Sequence, residues 1–230
     1  MAGYDDTTRD VVITRISTGD AARGFATMRS SPILEEAWRY WLSLRRGTAL
    51  PRRDALDPNA MRVTVGHSMI IDRVRAGTVR VRLGGRVMRD LMGMDVRGLP
   101  IKAFFALPDR DRATALVEEV FETGLATELD LACEGSEGVV GAKMLILPLL
   151  DAAFAVTKAQ VVVVTDRVIA GDAPRRFSVT GHRLRATARS EHHPMRRATD
   201  RAAPLPMELA EAATPYAPGP SAVPWLRVVK

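Results

Sequence analysis

Between Ala126 and Asp166 three β-favouring runs, ATELDLAC, VVGAKMLILPL and FAVTKAQVVVVTD, follow one another with only short turns between them, and no other feature of the chain restricts its fold so strongly. The link LDAA is too short for a crossover helix, so the two runs it joins must be antiparallel. Directly upstream, PDRDRATALVEEVFETG reads as a helix. Pro108 and the acidic pair Asp109 and Asp111 suit its positive end, Ala113, Leu116, Val117, Val120 and Phe121 recur at helical spacing, and Gly124 supplies a stop. Farther upstream, HSMIIDRV and TVRVRLGG flank Arg75-Ala76-Gly77 as a hairpin, with Val79, Val81 and Leu83 expected on one face and Arg80 and Arg82 on the other. A short helix, RVMRDLMG, follows, and LPIKAFFAL reads as a connector or another short helix.

An earlier helix is predicted over residues 32 to 46. Ser31 can cap it, Pro32 fits the first helical position, Glu35 and Glu36 face the positive end of the dipole, and Arg45 and Arg46 precede Gly47 at the negative end. Trp38 and Trp41 share a face with Leu34, a spacing that suits packing on a core better than stacking on bases. The order of elements is therefore helix, two strands, short helices, longer helix, three strands. After Asp166 the apolar periodicity fades into Arg-, Ala- and Pro-rich sequence. Residues 1–29 read as an N-terminal extension, 30–170 as the folded domain and 171–230 as a basic, mostly irregular tail.

Composition sets further bounds. The 230 residues leave room for one domain with extensions, and 47% apolar with 26% charged residues is the balance of a globular protein. The net charge of +6 is concentrated: from Gly171 to Arg201 eight arginines face three acids. Cys133 is the only cysteine, which excludes an intrachain disulfide and points to a cytoplasmic setting. The polar, acidic start is unlike a signal peptide. The longest apolar stretch, MLILPLLDAAFAV, is interrupted by Pro148 and Asp151, so no membrane insertion is expected.

The stretch YWLSLRRGTALPRRDALDP, followed by VRLGGRVMRDLMGMDVRG, resembles a bacterial family of single PAS-domain proteins. The correspondence rests on Tyr40, Trp41, Leu44, Arg45, Gly47, Pro51, Arg53, Asp57, Pro58, Arg82, Leu83, Gly85, Leu91, Gly93 and Gly98. Met92 stands where that family has an aromatic, and Arg62, Gly66 and His67 interrupt its apolar run after Asp-Pro. The resemblance implies an α+β fold, a PAS-like five-stranded antiparallel sheet with flanking helices. Residues 40–58 then brace the N-terminal helix against the sheet, with an ion pair between Arg53 and Asp57.

No arrangement for catalysis stands out. Ser178 and His182 lack an orienting third group, His192 and His193 lack a third ligand, and GMDVRG lacks the lysine of a phosphate loop. The expectation is a protein that is not an enzyme. Within the PAS resemblance, haem is disfavoured because the long helix has no histidine, and flavin because Cys133 lies outside the short-helix region. No cofactor is expected beyond an unknown small ligand. The elements that surround the PAS cavity supply Met88, Met92, Phe104, Phe105, Leu116, Val120, Cys133 and Met144, which either line a binding cavity or simply fill the core. Trp38, Trp41, Arg45 and Arg53 are candidate interaction residues near the N-terminal helix, and Arg175, Arg176, Arg183 and Arg185 in the tail. The first reading is a sensory and signalling module working through protein partners, with a homodimer expected through its N-terminal helix. The alternative is a binder of nucleic acid or acidic surfaces through the tail arginines.

Overall fold

The computed structural model describes residues 31–135, 138–167 and 173–185. The elements are α1 (Pro32–Ser43), α2 (Pro58–Met61), β1 (Ser68–Arg75), β2 (Thr78–Gly84), α3 (Arg86–Met92), α4 (Arg110–Thr123), β3 (Ala126–Gly135), β4 (Gly138–Leu150), β5 (Val156–Thr165) and β6 (Ser178–Arg185). Short 3-10 turns occupy Arg53–Ala55, Arg62–His67, Ile101–Phe104 and Leu107–Asp109. The expected helix, hairpin, short helix, long helix and three strands are all present in order. Helices α3 and α4 both stop at a glycine with positive φ, Gly93 and Gly124, a conformation that other residues adopt only at a cost.

One antiparallel sheet runs β2-β1-β5-β4-β3-β6. It has one strand more than expected. Ser178–Arg185, read from sequence as part of the tail, pairs along β3 from Ala126↔Arg185 to Ala132↔Ser178. SVTGHRLR carries too few apolar residues to register as a strand, because its outward positions hold arginines that are matched by acids on β3. The boundary near 170 is corrected accordingly.

The strands bury both faces. Met69, Ile71, Val79, Val81, Leu129, Leu131, Met144, Ile146, Val161 and Val163 face α3, α4 and the 3-10 turn at Ile101–Phe104. The alternate positions Ile70, Leu145, Leu147, Leu149, Val162 and Val164 meet Leu34, Ala37, Trp38 and Trp41 of α1. The central strands are therefore apolar at nearly every position instead of alternating. A register shift between Ile70 and Ile71 changes one expectation: Leu83 pairs with Ile70 and lies on the α1 side, not with Val79 and Val81. The bulge turns it into the open, where it is 48% exposed.

The N-terminal brace is built as follows. β3 follows β4 only to Thr127↔Ile146, leaving the last residues of β4 with a free edge. That edge is taken by the Trp41 indole, which donates to the Pro148 carbonyl at 3.0 Å, and by Pro51, whose carbonyl accepts the Leu150 N–H at 2.9 Å. Pro148 is tolerated in a long strand because, with Leu150, it points away from β5, so its missing N–H costs no ladder bond. The Tyr40 hydroxyl accepts the Asp57 N–H at 2.8 Å, and Asp57 in turn caps α2 through Asn59 N–H. The expected Arg53–Asp57 ion pair is absent among the described residues; the pair that forms is Arg52–Asp54 at 2.6 Å. The Asp57 carboxylate faces the start of α2, where the unsatisfied amides compete for it.

Trp41→Phe keeps the packing and leaves the Pro148 carbonyl without its donor. It is expected to lower stability by about 1–3 kcal/mol, and Trp41→Ala by about 3–5 kcal/mol. Urea denaturation followed by far-UV circular dichroism measures both.

Candidate functional site

The eight residues expected around a cavity come together. Met88 and Met92 on α3, Phe104 and Phe105 at the 3-10 turn, Leu116 and Val120 on α4, Cys133 on β3 and Met144 on β4 all belong to one buried apolar cluster. Each arrives by a local rule. The i, i+4 spacing puts Met88 and Met92 on one side of α3, and Leu116 and Val120 on one side of α4, while strand alternation turns Cys133 and Met144 to the helical side. Three methionines give this interior side chains that adapt to an irregular shape.

Residues 173–177 close one end of this interior. Arg175 N–H donates to the Leu91 carbonyl at 2.8 Å, Phe177 N–H to the Phe104 carbonyl at 2.9 Å, and Ala106 N–H to the Phe177 carbonyl at 2.9 Å. Phe177 is thereby buried in the same cluster. Arg175 is buried as well, its guanidinium against Gly135 in the space a side chain there would need. Burial pushes the Cys133 thiol above its usual pKa, against a hydrogen bond and positive charge from Arg175 that act in the opposite direction. Cys133 remains a protonated, buried thiol at neutral pH. Phe177 was not foreseen as part of the core. The sequence signal was a lone aromatic within an arginine-rich stretch.

On the opposite face lies a charge cluster that sequence reasoning also missed. Glu128 of β3 is 1% exposed. It accepts from Arg183 at 2.6 Å, from Arg185 at 3.1 Å and from Lys143 of β4 at 3.1 Å. Lys143 also reaches Asp130 at 2.6 Å, and Arg185 reaches Glu35 of α1 at 2.6 Å while its guanidinium lies 5.5 Å from the Trp38 ring centre. Three cations and three carboxylates are thus balanced. Desolvation works to raise the Glu128 pKa, but the Arg183 hydrogen bond and the charges of Lys143, Arg183 and Arg185 outweigh it and hold the carboxyl below its usual range. A Glu and a Lys at outward positions of neighbouring strands were the legible hint.

The interaction candidates are placed as follows. Trp38 and Trp41 stack on each other, centroids 5.2 Å apart, and are buried against the sheet, so neither offers a ring to a base. Arg45 lies over Trp41 at 5.2 Å and donates to the Thr48 carbonyl. Arg53 opens a 3-10 turn. Of the four tail arginines, Arg176 is exposed, Arg175 is buried, and Arg183 and Arg185 spend their charge on Glu128. Arg189, Arg196, Arg197 and Arg201 lie outside the described residues, as do His192 and His193. Ser178 and His182 both sit on β6, with the sheet register placing His182 beside Leu129.

Set against known protein families, residues 28–163 match the PAS domain family. The chain is a PAS-domain protein. The match spans more than half of the sequence and agrees with the antiparallel sheet, its flanking helices and the apolar interior between them. No curated protein matches the chain. Membership places this PAS-domain protein in a class of sensory and signalling modules. Among the described residues, no helix is long and apolar enough to cross a membrane, and no group of three or more His, Cys, Asp or Glu side chains is arranged to hold a metal ion.

Glu128→Ala leaves Lys143 buried beside fewer acids and is expected to cost about 3–5 kcal/mol. Because the folded pKa of Glu128 is depressed, its contribution is present above the ordinary carboxylate pKa, about 4.3, and is lost as pH falls through the folded value. Glu128→Gln should therefore flatten the acid side of the stability profile, measured by urea denaturation at a series of pH values.

Proposed function

We propose that this PAS-domain protein is a non-enzymatic, cytoplasmic signalling module of bacterial type that acts through protein contacts and is gated by a small, largely apolar ligand held behind its sheet. The observation that carries the reading is the convergence of Met88, Met92, Phe104, Phe105, Leu116, Val120, Cys133 and Met144 in one interior, closed at one end by Phe177. Such a lining selects by shape and apolar area, with Cys133 and the nearby Arg175 as its polar elements. Ligand occupancy would bear on residues 173–177, which bond both to α3 and to the 3-10 turn that frames this interior.

The tail-arginine alternative is weakened where it is described, since Arg183 and Arg185 already neutralise Glu128. A homodimer remains part of the reading. With Trp38 and Trp41 committed to the sheet, it would use the outward side of α1, where Arg39 and Ser43 are exposed.

Native mass spectrometry of the purified full chain tests both points. A ligand-bearing protein shows a mass increment that disappears on denaturation, and Met92→Trp, which fills the interior, removes the increment while the near-UV circular dichroism of the fold persists. An unmodified mass in the native spectrum, with no added small apolar compound raising the melting temperature, would sink the ligand-gated reading.

A further inference from the structure

Residues 173–185 lie beyond residues 28–163, the part of the chain that matches the PAS domain family. They are seated on that part by a series of separate receptors. The Leu91 and Phe104 carbonyls and the Ala106 N–H bond to the main chain of Arg175 and Phe177, and Arg112 donates to the Val179 carbonyl at 3.0 Å. The Phe177 side chain enters the apolar interior, and the Arg175 guanidinium crosses Gly135, where any Cβ would collide with it.

The other end is read by charge and size. Gly181, Arg183 and Arg185 are alternate positions of β6 and share one face of the sheet, opposite Asp130, Glu128 and Ala126. A Cβ at Gly181 would stand 3.3 Å from the Asp130 carboxylate, so that position suits the smallest residue. Arg183 meets Glu128 at 2.6 Å, and Arg185 meets Glu128 at 3.1 Å and Glu35 at 2.6 Å. Without β6, the carboxylates of Glu35, Glu128 and Asp130 would face Lys143 alone. The edge of β3 is therefore acidic wherever β6 is not on it.

We propose that this edge of β3, from Phe104 and Gly135 at one end to Glu128 and Glu35 at the other, is a docking groove for an extended, arginine-bearing segment of a partner protein, and that residues 175–185 keep it closed by occupying it in cis. Main-chain bonds along a strand edge, with pockets for spaced side chains, are the means by which a sheet takes up an extended peptide. The fitting segment carries an aromatic residue, a glycine four positions on and arginines six and eight positions on, as Phe177, Gly181, Arg183 and Arg185 do here. Nucleic acid is opposed by the same carboxylates. A second copy brings an identical segment, which gains nothing over the one already tethered in cis. The proposal rests on the reading of the protein as a module that signals through protein contacts.

The test uses the full chain and a fluorescent peptide of residues 173–185, with a permuted peptide of the same composition as comparison; anisotropy is read across a salt series. Wild-type chain, its groove filled, should bind the peptide weakly. Phe177→Ala removes the anchor of the cis segment and should bind the peptide about tenfold more tightly than wild type, and less tightly as salt rises. Arg183→Gln, which leaves Phe177 and Arg185 in place, should act in the same direction by loosening the other end. A peptide with alanine for its phenylalanine, or glutamine for its last two arginines, should lose that gain. Val74→Glu, at a site 55% exposed on β1, should leave binding at the wild-type level. Trp fluorescence checks that each variant folds, and should one of the two loosened variants fail, the other carries the same comparison. Peptide binding no tighter than wild type in the folded variants, equal binding of the permuted peptide, or a native wild-type dimer that Phe177→Ala dissolves would each overturn the assignment. Those outcomes are separable from the fate of the ligand reading, because the small-molecule increment is read on the wild-type chain without peptide.

Discussion

Glu128 is the residue around which this fold is arranged. A carboxylate that is almost fully buried in the middle of a sheet is costly unless it is compensated, and one cation does not satisfy it. Here the compensation comes from two strands at once, Lys143 on β4 and the arginines 183 and 185 on β6. One of those arginines also engages Glu35 and lies over Trp38, so that the same charge positions α1. The sixth strand and the N-terminal helix are coupled through this cluster in addition to their separate contacts with the sheet.

The two faces of the sheet are thus held differently. Behind it, α3, α4 and the 3-10 turns meet an apolar surface rich in methionine and phenylalanine. In front of it, α1 is fixed by stacked tryptophans, by one indole hydrogen bond to a proline carbonyl and by the Glu35–Arg185 ion pair. Hydrophobic packing tolerates small rearrangements, while hydrogen bonds and buried ion pairs depend sharply on geometry. The interior is the adaptable side and the α1 side the specified one.

Much of this was legible in the residues. The runs from Ala126 to Asp166, the Arg75-Ala76-Gly77 hairpin and the helices at Pro32 and Arg110 follow from period, caps and stops, because each element is governed by its own neighbours in sequence. The interior residues were legible for the same reason, helix and strand periodicity assigning each to a face. What escaped were features set by distant partners. The strand Ser178–Arg185 looked like tail because arginines occupy positions where periodicity expects apolar groups, and only Glu128 and Asp130 on the adjoining strand explain them. The exposure of Leu83 depends on a bulge that shifts the pairing by one residue, which an alternating sequence does not disclose. Likewise Asp57 was drawn to a helix start and not to Arg53, a competition decided by backbone geometry.

The contact between Glu35 and Arg185 joins the first turn of α1 to the last residue of β6. Ser31 and Arg185, the first and last described residues, are therefore held at a single corner of the domain. The ion pair and the Ala126↔Arg185 end of the β3–β6 ladder meet at that corner.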